Sequence, residues 1–216
     1  DANRGACAQP CRYQYALVEE KRPGEYFPIG EDAGGAFILN SRDMCMIDHV
    51  PELMDAGLDS LKIEGRAKSA YYAAIVTAAY RHAIDAAQAG EPLDPVWRAE
   101  VDKVSHRPYS TGFYYGEPGQ HTAHARYLRD WQVVGVVTSC APDGAALCEL
   151  RNKFAEGDEL ELVGPGVRPV SFRVEGLADG DGLPIPEARK PQMPFRLRLP
   201  AQAPPLSLLR RKAVGL

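Results

Sequence analysis

The chain has 216 residues, of which 45% are hydrophobic and 25% charged, and its net charge is −4. This balance is typical of one large or two small globular domains and excludes wholesale disorder and a collagen-like repeat. No apolar run approaches the roughly 20 residues that a membrane-spanning helix needs. A predicted pI of 5.8 excludes the overall basic charge of a dedicated nucleic-acid-binding domain. The chain begins with Asp1 rather than Met, so we expect a piece of a longer protein. Its first segment has no features of a secretion signal, so we expect the protein to act in the cytosol.

The first 90 residues predict β segments followed by strand–helix units. The β segments are predicted at 12–19 and 26–29, around the turn Arg22-Pro23-Gly24. The two units are predicted as a strand at 36–39 with a helix at 51–56, and a strand at 60–64 with a helix at 71–89. Such units favour a parallel α/β sheet or barrel. The second helix is apolar on most of its circumference, so we expect it to be well buried.

The pattern changes in the rest of the chain. Residues 91–130 are weakly periodic and are predicted to form a connector across the surface. Short strands are predicted after residue 130, at 132–138, 145–151, 159–163, 171–174 and 195–199. Short strands at this density indicate a small closed or nearly closed β-barrel. The predicted fold class is therefore α/β plus β, with domains at 1–90 and 131–216 joined by the connector.

Five cysteines form two groups. Cys7 and Cys11 are a C-x3-C pair, and Cys45 lies 34 residues after Cys11. Thiolates are the ligands that soft metals and iron–sulfur clusters prefer, so these three are metal-ligand candidates; the alternative is that they are small buried apolar residues. Cys140 and Cys148 flank a turn, where packing between adjacent strands is the expected role.

A charged segment, Leu61-Lys62-Ile63-Glu64-Gly65-Arg66, follows the first unit. On a barrel strand, Lys62 and Glu64 would point into the barrel interior, where charge is costly unless it is paired or functional. Charged residues at the C-terminal end of such a strand are typically functional; a structural ion pair is the alternative. Arg66 and Lys68 follow in a loop and would suit an anionic substrate.

Two further patterns suggest a nucleic-acid substrate. The segment SHRPYSTGFYYG at 105–116 places aromatic residues beside a basic one, and unpaired bases stack on such rings; packing of the connector explains it equally well. After Glu187 every charged residue is basic: Arg189, Lys190, Arg196, Arg198, Arg210, Arg211 and Lys212. This run is either a patch that contacts phosphates or a solvated strand with a frayed tail. The motifs of serine hydrolases, zinc proteases and P-loop enzymes are absent from the sequence.

Several long segments together resemble the collagenase-like peptidase U32 family. They are NRGACAQPCR, EEKRPGEYFPIGED, NSRDMCMIDHVPELMDAG, SLKIEGRAKSAYYAA, SHRPYSTGFYYG and RNKFAEGDELEL. The resemblance implies a TIM-type barrel, of which this chain is the last portion, followed by an appended β-barrel. It also implies a [4Fe-4S] cluster with Cys7 and Cys45 as two ligands and two cysteines upstream of this chain. Cys11 is then either a spare or a substitute ligand.

Within that family the chain is similar to the prephenate-dependent tRNA hydroxylases, which make 5-hydroxyuridine at the wobble position. This similarity implies tRNA and prephenate as partners. Because prephenate is a dianion, we assign catalysis to Lys62, Glu64 and Arg66. We assign cofactor binding to three more basic residues: Arg4, Arg12 and Lys68. The alternatives are the family's historical role, a collagenase-like protease, and a C-terminal domain that serves only as an RNA-binding adaptor.

Overall fold

The computed structural model describes residues 13, 15–32, 35–38, 40–121 and 126–213. The chain forms two compact units, one of Asp1–Cys45 with His106–Tyr127 and the other of Met46–Ser105 with Leu128–Leu216. Both helices and sheets are present, and the largest sheet is antiparallel. No helix in the described part of the chain is long and apolar enough to cross a membrane.

The first unit contains two small sheets. Strands β1 (Ala16–Leu17), β2 (Phe27–Asp32) and β3 (Gly35–Ile38) pair in that order, and both pairings are antiparallel. The predicted β segments and the predicted strand at 36–39 are therefore confirmed as strands. The prediction that the latter belongs to a parallel sheet is wrong, because only two residues separate β2 from β3 and a parallel pair needs a crossover of a dozen or more.

A second, parallel pair brings distant segments of this unit together. Strand β4 (Asp43–Met44) lies beside β5 (Tyr109–Ser110), with Asp43 opposite Tyr109. No strand is predicted at either place, since two-residue strands carry no periodic signal.

The second unit begins with helices α1 (Val50–Asp55) and α2 (Ala70–Ala89), which confirm both helix predictions. Ser69 caps α2 by accepting a hydrogen bond from the Tyr72 N–H at 3.2 Å, and Gly90 ends it. The expectation that α2 is well buried is wrong. Its buried residues form a single stripe: Ile75, Val76, Ala79 and Ala83.

Helix α3 (Pro95–Glu100) lies in the segment interpreted as a surface connector. Asp94 accepts a hydrogen bond from the Val96 N–H at 3.0 Å and Pro95 starts the first turn, so a local helix signal was present. The ring of Trp97 is buried and stacks on His82 at 3.8 Å between centroids. Part of this segment is thus core rather than surface.

The rest of the second unit is β structure. Its strands are β6 (Trp131–Cys140), β7 (Ala145–Leu150), β8 (Phe154–Ala155), β9 (Glu159–Gly164), β10 (Val167–Arg173), β11 (Ala178–Asp179), β12 (Glu187–Ala188), β13 (Pro194–Arg198) and β14 (Leu208–Lys212). Seven of them form one sheet in the order β10-β9-β14-β6-β7-β13-β11. All five predicted strands are confirmed. Since no pairing of β10 with β11 closes this sheet among the described residues, the β-barrel stays a prediction.

Strand β14 is the longest of the strands that the sequence did not predict. It lies between β9 and β6 and pairs with both. Its sequence, LLRRK, resembles an exposed basic tail, yet Leu209 and Arg210 are both fully buried. Only the partners on each side explain why a strand with three consecutive basic residues occupies the interior of the sheet.

Candidate functional site

The predicted catalytic segment is a loop. Residues 58–64 form no strand, so the strand predicted at 60–64 is wrong. The side chains of Lys62 and Glu64 are 87% and 71% exposed, with Nζ and Oε2 4.0 Å apart, rather than pointing into a barrel. Alternation alone predicted this strand, but no neighbouring strand among the described residues takes up its backbone hydrogen bonds.

A tight turn nevertheless gathers the predicted residues. The Arg66 N–H donates to Glu64 Oε1 at 2.8 Å, and the Lys68 N–H donates to the Gly65 carbonyl at 2.9 Å. The ring of Tyr72 packs on this turn, only 3.2 Å from where a Cβ on Gly65 would lie. A Cβ at this position would require a small shift of the Tyr72 ring, so glycine favours the close approach. The turn presents the Glu64 and Arg66 side chains to solvent together.

Lys68 points back toward its own unit. Its Nζ donates to the Ser105 carbonyl at 2.9 Å and lies 5.2 Å from the centroid of the Tyr72 ring. The ammonium group thus connects the loop to Ser105 of the same unit. Of the residues assigned to cofactor binding, Arg4 and Arg12 lie outside the described residues.

Cys45 immediately follows β4 in the first unit. Its backbone N–H donates to the Ser110 carbonyl at 2.9 Å, which extends the β4–β5 pairing by one residue. The side chain is partly exposed and forms no disulfide with another described cysteine. Cys7 and Cys11 lie outside the described residues, and no group of three or more His, Cys, Asp or Glu side chains within the described ranges is placed to hold a metal ion.

The segment beside Cys45 is firmly anchored at its base. The Arg107 N–H donates to Asp43 Oδ2 at 3.0 Å, and the Arg107 guanidinium donates to the Ser41 hydroxyl at 3.0 Å. The buried ring of His106 stacks on Tyr109 at 4.2 Å between centroids. For these residues the packing interpretation of the motif holds.

The end of the same segment, residues 111–116, is exposed from Phe113 onward; we call it the aromatic loop. Gly112 has a φ of +61°, and its missing Cβ leaves room for Met44, whose sulfur would lie 3.1 Å from it. The next three residues point outward: Phe113, Tyr114 and Tyr115 are 82%, 59% and 57% exposed. Packing covers these rings only in part. Three adjacent exposed aromatic residues are a surface on which bases stack.

The C-terminal basic residues divide into two sets. Arg210 is fully buried, and Arg211 Nη1 donates to Asp158 Oδ2 at 2.6 Å. Arg210 and Arg211 therefore belong neither to a patch that contacts phosphates nor to a frayed tail. Arg196 and Arg198, in contrast, are exposed on β13.

Cys140 and Cys148 confirm the packing prediction. They lie on the adjacent antiparallel strands β6 and β7, and Cys148 is in the core with Cys140 packed against it. Burial raises the pKa of Cys148 to about 12, with a smaller contribution from Cys140. Such a thiol is unreactive at neutral pH.

Comparison with known proteins decides the family. The sequence profile of peptidase family U32 matches residues 1–124, and that of the peptidase family U32 C-terminal domain matches residues 129–210. The chain belongs to peptidase family U32. Its resemblance to that family is thereby confirmed.

Curated relatives carry names of two kinds. The chain is 32% identical to tRNA hydroxylation protein P1 of Bacillus subtilis, over 98% of this chain and 51% of that protein. It is 38% identical to tRNA hydroxylation protein P of Escherichia coli, over 79% of this chain and 39% of that protein. A Methanocaldococcus jannaschii protein named an uncharacterized protease is 36% identical, over 76% of this chain and 41% of that protein. The chain thus spans about half, or less, of these U32 relatives.

Proposed function

We propose that the whole protein containing this chain modifies tRNA, by prephenate-dependent hydroxylation of the wobble uridine to 5-hydroxyuridine. The names of the B. subtilis and E. coli relatives support tRNA as the substrate class. The observation in this chain that carries the proposal is the exposed aromatic loop, anchored through β4 and β5 beside Cys45. In this proposal the chain forms the last part of a TIM-type barrel and a small β-barrel, and the protein acts in the cytosol, where its tRNA substrate is found.

The proposed cofactor is a [4Fe-4S] cluster held by Cys7, Cys45 and cysteines upstream of this chain, with Cys11 as a spare or substitute ligand. Cys45 fits this role because its partly exposed thiol follows a strand whose backbone is fixed by Ser110. A bound cluster would supply one-electron redox chemistry. The chain's own contribution is to hold Cys45 next to the base of the aromatic loop.

The proposed prephenate contacts are Lys62, Glu64 and Arg66, with Arg4, Arg12 and Lys68 as further basic residues. Lys62 and Arg66 are exposed on one short loop, and cationic side chains bind carboxylates through charge-assisted hydrogen bonds. Glu64 accepts the Arg66 backbone N–H and so keeps the turn that presents both cations. We expect Arg66 to bind a prephenate carboxylate through two parallel hydrogen bonds.

The test is a gene deletion complemented with variants. We expect tRNA from the deletion strain to lack wobble 5-hydroxyuridine by nucleoside mass spectrometry and the wild-type gene to restore it. Cys45→Ser should fail to restore it and should lower the iron and acid-labile sulfide of the anaerobically purified whole protein. Cys140→Ser is the matched control and should behave like the wild type.

A protease is the second candidate, because one relative carries that name. Unchanged tRNA in the deletion strain, together with cleavage of collagen by the pure protein, would reject the hydroxylase and establish the protease.

A further inference from the structure

One outer face of the large sheet carries a groove that the proposed catalytic residues do not use. It is an open groove of about 570 Å³ over β6, β7 and β13, in the second unit. Along β13 the residues alternate, with Phe195 and Leu197 buried in the core and Arg196 and Arg198 exposed. Both guanidinium groups therefore rise from the same face of the sheet.

Uncharged side chains form the floor of this groove. Across the ladder, Arg196 lies opposite Leu147 and Arg198 lies opposite Ala145. Ser139, on the next strand, lies opposite Leu147. Leu147, Ala145 and Ser139 carry no charge, while the two arginines form a wall on one side. The result is a shallow apolar trough with a cationic side.

Charge identifies the kind of ligand. None of the residues that line the groove is acidic. Arg198 is paired with Asp143, but the two side chains are 66% and 58% exposed, and such surface pairs exchange partners at little cost. Arg196 uses Nε to donate to the Gly180 carbonyl at 2.9 Å and forms no ion pair with any residue in the described ranges.

We infer that this groove binds a phosphodiester segment of the tRNA, with Arg196 and Arg198 on the phosphates and the apolar floor under a ribose or base. This inference rests on the proposed function, which supplies tRNA as the substrate. Guanidinium groups are suited to phosphate because their planar donors match its oxygens. Phosphate contacts fix the position of an RNA on the protein without reading its sequence. The large sheet would thus bind the tRNA backbone, while the base that is modified lies elsewhere on the protein.

The test measures binding of an unmodified tRNA transcript to the whole protein at several salt concentrations. The variant is Arg196→Gln, whose amide retains a donor for the Gly180 carbonyl. We expect the Kd to rise about 3- to 10-fold and the salt slope of the affinity to fall by about 1, because one phosphate contact is lost. Arg196→Lys keeps the charge and should recover most of the affinity.

The control is Arg189→Gln, which removes an exposed arginine from outside the groove and should leave Kd and salt slope unchanged. Equal tRNA affinity of wild type and Arg196→Gln would overturn the groove assignment while leaving tRNA as the substrate. Equal losses in the Arg189 and Arg196 variants would also overturn it, because the effect would then be one of net charge. Absence of any tRNA binding by the wild type would reject both the groove and the proposed function.

Discussion

Arg210 and Glu100 form a fully buried ion pair although 110 residues separate them in the chain. Arg210 Nη2 donates to Glu100 Oε1 at 2.6 Å, Nη1 lies 2.6 Å from Oε2, and neither side chain is exposed. Arg210 Nε also donates to Glu161 Oε1 at 2.9 Å, and Lys103 Nζ bonds both Glu161 oxygens at 2.9 Å. The Tyr71 hydroxyl accepts from Arg210, and burial raises the pKa of Tyr71 to about 12. This cluster connects α2 and α3 to the centre of the β sheet.

Replacement of Arg210 with Met should destabilise the protein strongly. Loss of Arg210 leaves two buried carboxylates, Glu100 and Glu161, with Lys103 as their shared cation. Breaking a buried ion pair by removing one partner costs about 3–5 kcal/mol. The measurement is urea unfolding followed by circular dichroism. The matched control is Arg189→Met, because Arg189 is 71% exposed and its ion pair with Glu187 should contribute less than about 1 kcal/mol. A loss of less than about 1 kcal/mol in the free energy of unfolding of the Arg210 variant would show that the cluster does not hold α2 and α3 to the β sheet.

Acid should weaken the same cluster. Burial by itself would raise the pKa of Glu161, but the charges and hydrogen bonds of Arg210 and Lys103 outweigh it and hold the pKa below its usual 4.5. The stabilisation is therefore complete above about pH 4.5 and is lost as the pH falls through the lowered pKa of the folded state. We expect the free energy of unfolding to decline in that window. Glu161→Gln should be less stable at pH 7 and should lack this part of the decline, whereas the exposed control Glu187→Gln should keep it.

Cys140 and Cys148 should react at very different rates. At pH 8 a thiol with a pKa of about 12 is ionised in only about one molecule in 10⁴, and Cys148 is 1% exposed. Iodoacetamide should therefore label Cys140, which is partly exposed, and leave Cys148 unlabelled until the protein unfolds. Mass spectrometry of the labelled peptides checks this. Rapid labelling of Cys148 in the folded protein would contradict its burial in the core.

Loss of a ring from the aromatic loop should affect RNA rather than stability. Phe113 is 82% exposed, so Phe113→Ala should change the free energy of unfolding by less than about 0.5 kcal/mol. If a base stacks on this ring, tRNA binding should weaken by about 1–3 kcal/mol. The matched control is Tyr26→Ala, since Tyr26 is an aromatic residue that is 72% exposed outside the loop. Equal tRNA binding by the wild type and both variants would remove the aromatic loop from the proposed site.

The sequence alone determined the elements whose signals are local. Ser69 and Gly90 mark the ends of α2, and alternating apolar residues mark strands such as β7 and β13, because caps and side-chain periodicity act within a few residues. The family motifs likewise lie in continuous segments, so their meaning could be stated before any fold was known.

Tertiary structure decided where charge resides. Lys62 and Glu64 alternate as a strand would, but no strand among the described residues pairs with them and they lie in a solvated loop. Arg210 lies in a run that resembles a solvated tail, yet β6 and β9 enclose it and carboxylates distant in sequence neutralise it. The physical reason is the same in both cases. A strand forms only where neighbouring strands satisfy its backbone hydrogen bonds, and a charge is buried only where an opposite charge lies beside it. The neighbouring strand and the opposite charge both come from parts of the chain that no local pattern connects.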